Sequence, residues 1–140
     1  MNIDYSKFQQ YTRDIARVVD KITLTTSKQI GFPQAFTKRH NVHDFEGAIL
    51  YWHPEQKAIA VRFTNDMSLK GVLKLVKSDR YGAYVSVSTF LATYSIDPKE
   101  YQRRYDYEKV DPALFSLDTD DPIFVFQLVK NTKEIADEDP

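Results

Sequence analysis

The chain has 140 residues, of which 42% are hydrophobic, 14% aromatic and 28% charged, with a formal net charge of -1 and no cysteine. That composition suffices to bury a core and argues against a disordered chain, and the lack of cysteine excludes disulfides, a thiol nucleophile and a thiolate metal site. The near-zero charge argues against a uniformly basic nucleic-acid coat. No apolar run approaches the roughly 18 residues of a membrane span, so a cytoplasmic protein with no membrane partner is expected.

In chain order, Phe8, Tyr11, Ile15, Val18, Val19 and Ile22 recur at three- and four-residue spacings and predict an amphipathic helix over 4–20, with Asp4 as its cap. Such a helix covers a sheet face or serves a dimer. Ile22 to Thr25, a turn at Ser27-Lys28 and the run Ile30-Gly31-Phe32-Pro33-Gln34-Ala35-Phe36 read as a hairpin entering a helix, with Pro where the first-turn N–H groups have no acceptor and its missing N–H loses no bond. Thr37-Lys38-Arg39-His40 is the most basic short cluster, suited to a helix C-terminus or to phosphate. His40, His43 and His53 lack the spacing of known metal sites, so no metal is expected. Ala48 to Trp52 and Ala58 to Phe63 form a second hairpin, and 64–70 is a polar joint.

Fifty-five residues beyond the first run, Val85-Ser86-Val87-Ser88-Thr89-Phe90-Leu91 repeats its pattern. Val72 to Val76 and a turn at Ser78 to Gly82 precede it, and a helix from Ser88 to about Tyr94 and a helical start at Asp97-Pro98 follow. Arg103 and Arg104 among Tyr101, Tyr105 and Tyr107 suit either a half-exposed strand or a single-strand-binding surface. Ile123 to Leu128 closes the second unit, and 131–140 reads as an acidic disordered tail.

These elements predict an α+β fold. An N-terminal helix (4–20) precedes two pseudo-symmetric ββαββ units, 22–63 and 71–128, which share one mostly antiparallel β core in a single domain of 1–130. Strands are expected near 22–26, 29–32, 47–53, 57–63, 71–77, 83–87, 104–109 and 122–129.

The run from Ile30 to Phe36, between a turn and a second hairpin, resembles the swapped-hairpin AbrB-like family of AbrB, MazE and MraZ types. Two copies in one chain are similar to the MraZ arrangement. The resemblance implies a DNA-binding transcriptional regulator or antitoxin-like protein. The family's turn pattern Asp-x-x-Gly-Arg is absent at Ser27-Lys28-Gln29, while the second copy keeps Asp79 and Gly82 but continues with Ala83.

Lys28, Lys38, Arg39, Lys77 and Arg80 are the expected phosphate contacts, gathered on one surface with the two hairpin tips on the same side. The alternatives are a protein-interaction module on the same fold, a homodimer, or a single-stranded nucleic-acid binder. No phosphate-cradling loop, nucleotide fingerprint or nucleophile elbow is present, so neither enzymatic activity nor a cofactor is expected.

Overall fold

The computed structural model describes residues 2–10 and 20–131, and among these residues there are ten short strands and three short α-helices. β1 (Ile22–Leu24) and β2 (Gln29–Phe32) form a hairpin that feeds α1 (Gln34–His40). A 3-10 turn (Val42–Asp44) leads to the hairpin of β3 (Gly47–His53) and β4 (Ala58–Thr64). β5 (Leu73–Lys74), β6 (Val76–Ser78) and β7 (Gly82–Ser86) follow, then α2 (Ser88–Thr93) and α3 (Pro98–Tyr101). β8 (Arg103–Tyr105), β9 (Glu108–Val110), a 3-10 turn (Pro112–Phe115) and β10 (Ile123–Gln127) complete the described chain.

All pairings are antiparallel and sort the strands into two five-stranded sheets, β6-β7-β2-β1-β8 and β5-β3-β4-β10-β9. The mixed α+β class and the antiparallel pairing are as expected, and the strands make two sheets. The expected strand over 71–77 is two strands in different sheets, because the chain crosses between them at Leu75, which is buried and donates its N–H to the Glu46 carbonyl at 3.0 Å. The expected strand over 104–109 likewise splits at Asp106-Tyr107, with β8 in the first sheet and β9 in the second.

At the N-terminus the described residues form a single 3-10 turn, Tyr5–Lys7, whose cap is Asp4 as predicted, and Phe8 to Gln10 are not helical. The remainder of the predicted helix, 11–19, and the predicted tail from 132 onward lie outside the described residues. Asn131 is held by the Glu100 carbonyl at 2.8 Å.

Alternation places the core. Ile22, Leu24, Ile30, Phe32, Val85 and Tyr105 point inward from the first sheet, and Val61, Phe63, Phe124 and Phe126 from the second. Between them α1 inserts Phe36, fully buried, with the rings of Phe32, Phe63, Phe124, Tyr107 and His40 centred 4.7–6.4 Å from its own. Leu91 does the same from α2. Asn41 ends α1 in the left-handed conformation at φ 55°, which Asn tolerates better than most residues.

Candidate nucleic-acid interface

The five predicted cations are divided by the direction in which β2 meets β7. The pair is antiparallel, Gln29 opposite Ser86 and Phe32 opposite Ala83. Lys28, in the β1–β2 turn at φ 64°, therefore lies beside the end of β7, where its carbonyl accepts the Val87 N–H at 2.9 Å. Arg80, in the β6–β7 turn, lies at the opposite end, where Gln34 Nε2 donates to the Asp79 carbonyl at 3.0 Å. Five residues at about 3.3 Å each put the two tips about 17 Å apart. The expectation that they share one side is corrected: antiparallel pairing of the two hairpins sends their tips apart.

The other cations sit toward the α1 layer. Lys77 Nζ donates to the His43 carbonyl at 3.0 Å, close to where a His43 ring nitrogen meets the Gly82 carbonyl at 3.3 Å. Lys38 is exposed on α1, one helical turn from Gln34 and so on the side of the Arg80 tip. Arg39, on a different side of the same helix, pairs with Asp20 at 2.5 Å. Lys38, Lys77 and Arg80 are thus grouped near one tip, Arg39 is engaged beside them, and Lys28 stands apart.

Between the tips lies the outward face of the first sheet. One row crosses it, Arg104, Thr23, Gly31, Tyr84 and Val76, each directly opposite the next. Gln29 and Ser86 are paired in the adjacent row. These residues are half-buried or exposed. A Cβ built on Gly31 would meet nothing nearer than Thr23 at 3.9 Å, so the centre of the face is flat and open. Its side chains are hydroxyls, an amide, a phenol, a guanidinium and, at the β6 edge, the exposed isopropyl group of Val76.

A polar cluster that no sequence motif announces closes the crevice beside α1. Tyr107 Oη donates to Asp20 Oδ1 at 2.6 Å, since a carboxylate can only accept, and His40 Nε2 then donates to Tyr107 Oη at 2.7 Å. Burial pushes Asp20 up, but the hydrogen bonds from Tyr107 and Arg39 outweigh it and leave the carboxyl below its usual range. Burial holds His40 below the ordinary imidazole value despite the Asp20 charge. Burial and Asp20 together push Tyr107 up to about 12. Asp20 and Tyr107 are 87 positions apart, too far for any local pattern to join them.

The histidines do not converge: His40 meets Tyr107, His43 the Gly82 carbonyl, and His53 Nδ1 accepts from the Gln56 N–H. Among the described residues no group of His, Cys, Asp and Glu is arranged to hold a metal ion, and no helix is long and apolar enough to cross a membrane. No family model, no curated protein and no solved structure matches the chain.

Proposed function

We propose that the chain is a non-enzymatic DNA-binding regulator of swapped-hairpin type, one polypeptide supplying both pseudo-symmetric ββαββ halves, with the open face of the first sheet as its DNA surface. The observation that carries the proposal is that face itself: among the described residues, a largely polar sheet surface on which no other element packs, between cationic tips about 17 Å apart. A B-DNA major groove is about 12 Å wide, so tips at that separation reach the backbones on either side while the face lies over the groove. Lys28 and Arg80 then contact phosphate and set the register. Gln29, Arg104 and the hydroxyls of Thr23 and Ser86 are of the types that read base edges.

Strand registers support the two-half reading. The 55-residue offset of the sequence repeat equates Ile30 with Val85, and these two lie directly opposite each other in β2 and β7. The hairpin registers then equate Leu24 with Leu75 and Ile22 with Leu73. Equating Val61 with Phe126 in the second sheet equates Ala48 with Tyr105. Ile22 pairs with Tyr105 and Leu73 pairs with Ala48, so each half's leading strand pairs with the strand after the other half's helix. That reciprocal exchange is what a swapped hairpin would produce.

Fluorescence anisotropy of labelled mixed-sequence duplex, titrated with salt, tests the function. Lys28→Ala with Arg80→Ala should weaken binding alike on all sequences and flatten the log–log salt slope by about two units. Gln29→Ala should instead reduce discrimination between sequences. Absence of binding at low salt and on the order of tens of micromolar, where even non-specific complexes form, refutes the DNA reading and leaves the protein-interaction one.

A further inference from the structure

A groove of about 430 Å³ opens between α2 and the edge of the second sheet at β5 and β3. Leu50, Leu73, Phe90 and Tyr94 line it with apolar surface, Ser86 and Ser88 add hydroxyls, and none of its lining residues is charged. In a chain that is 28% charged, such a lining selects for an occupant with an uncharged, ring-sized body and at most a polar tip. Trp52, the sole tryptophan of the chain, stands at its end, 5.7 Å from the Tyr94 ring and 6.2 Å from that of Phe90.

The chain carries such an occupant at its own N-terminus. In the turn capped by Asp4, Tyr5 and Phe8 stack on each other at 5.8 Å yet remain 74% and 69% exposed, and Ile3 beside them is 45% exposed. Among the described residues these side chains are left exposed, outside the core. Eleven residues, 9–19, separate Phe8 from Asp20, which is anchored beside α1. We propose that the Ile3–Phe8 segment of a second copy occupies the α2 groove. Phe8 enters the apolar part and the Tyr5 phenol meets the serine hydroxyls. Each chain has one segment and one groove, so reciprocal exchange fills both and closes a two-fold dimer.

Why this crevice is open follows from comparing the halves. Under the equivalence proposed above, Gly71 takes the place of Asp20, Leu50 that of Tyr107 and Tyr94 that of Arg39. The three groups that bridge the crevice beside α1 are replaced beside α2 by groups that cannot bridge. That comparison rests on the two-half reading. The groove and the exposed rings do not, and the test below uses no DNA, so the two proposals fail separately.

The experiment is sedimentation velocity of the full chain over a hundredfold concentration range, with acrylamide quenching of Trp52 on the same samples. The parent should dimerise, with Trp52 increasingly shielded as concentration rises. Tyr5→Ser with Phe8→Ser, both exposed and free to change without unfolding the chain, and separately Thr89→Arg, which sets a charge at the groove, should each raise the dimer Kd more than tenfold and about double the quenching constant at high concentration. A parent that stays monomeric throughout overturns the proposal, as does either variant that dimerises like the parent. Protection of Trp52 that is lost in the Tyr5/Phe8 variant but independent of concentration overturns it in favour of the chain's own segment.

Discussion

Phe36→Ala tests whether the chain has one core or two. The ring is fully buried, with Tyr107 and Phe124 edge-on at 4.8 and 5.0 Å and Phe32 and Phe63 completing the enclosure. Removing it forfeits burial, leaves a cavity that β-sheet backbones on both sides cannot collapse into, and ends two edge-to-face contacts. The loss belongs at the upper end of the usual range for aromatic truncation, about 4–5 kcal/mol. With a urea m-value of about 2 kcal/mol/M for a chain of this size, the midpoint should fall by about 2 M. The assay is urea unfolding followed in parallel by far-UV circular dichroism and by Trp52 emission. Trp52 belongs to β3 but packs on Phe90 of α2 and on Tyr94, which caps that helix, away from Phe36, and so reports on a different part of the molecule. Both signals should shift together. A cost below about 1 kcal/mol, or a Trp52 transition that stays at the parental midpoint while the dichroism moves, refutes the single shared core.

Gly82→Ala should be more damaging still: at φ 107° an added Cβ would lie 2.1 Å from the Phe32 carbonyl oxygen and 2.8 Å from the Pro33 carbonyl carbon, both backbone, and a loss above about 4 kcal/mol is expected. A variant melting within a few degrees of the parent would contradict that contact. Tyr107→Phe removes one donor to Asp20 and the acceptor for His40 and should cost about 1–2 kcal/mol, read by the same urea titration. Because Asp20 and His40 are both held below their ordinary values, their stabilisation is complete above those values and is lost as pH falls, beginning below roughly 6.5 for His40 and below roughly 3.9 for Asp20. For Tyr107, raised to about 12, the contribution is present below roughly 10 and disappears as pH climbs through the raised value. A melting temperature flat between pH 7 and 3 would show that the cluster does not titrate as described. Arg62→Met should destabilise more than Arg62→Met with Asp121→Leu, since the single change strands a largely buried carboxylate, 2.9 Å from the guanidinium in the parent; a double-mutant cycle decides it.

Much of the secondary structure could be read locally because its signals are local. Apolar Ala83, Val85 and Val87 alternating with Tyr84 and Ser86 mark one buried face of β7, and Asp97 ahead of Pro98 caps α3 as such pairs do, accepting the Lys99 N–H at 2.9 Å. What could not be read depends on events between distant segments. Val72-Leu73-Lys74-Leu75-Val76 looks like one strand, and only the presence of two sheets to receive its ends breaks it at Leu75. Arg104 to Lys109 is divided at Tyr107 for the same reason, and the phenol at that break seals the crevice beside α1. The cations were visible, but their grouping was not, since nothing in either hairpin states in which direction it meets the other. Phe8 reads as part of a helix by its spacing with residues further on, whereas the described turn ends at Lys7.

Under the two-half reading proposed above, a division of labour between the halves follows from their being joined. In a homodimer of identical units, any residue that closes the crevice beside one helix closes the other as well, and any cation at one tip recurs at its mate. A single chain lifts that constraint. Here Asp20, Arg39 and Tyr107 lock α1 to the segment before β1 and to the β8–β9 crossing, while Gly71, Tyr94 and Leu50 leave α2 with an unlocked flank. Of the five expected cations one tip carries Lys28, with Arg103 opposite Leu24 at the same end of the sheet, whereas the other has Arg80 with Lys77 and Lys38 close by. If the first sheet binds duplex as proposed, the two ends are held unequally, and the prediction is an asymmetric preferred site with the stronger phosphate contact on the Arg80 side, read from footprinting of the bound duplex.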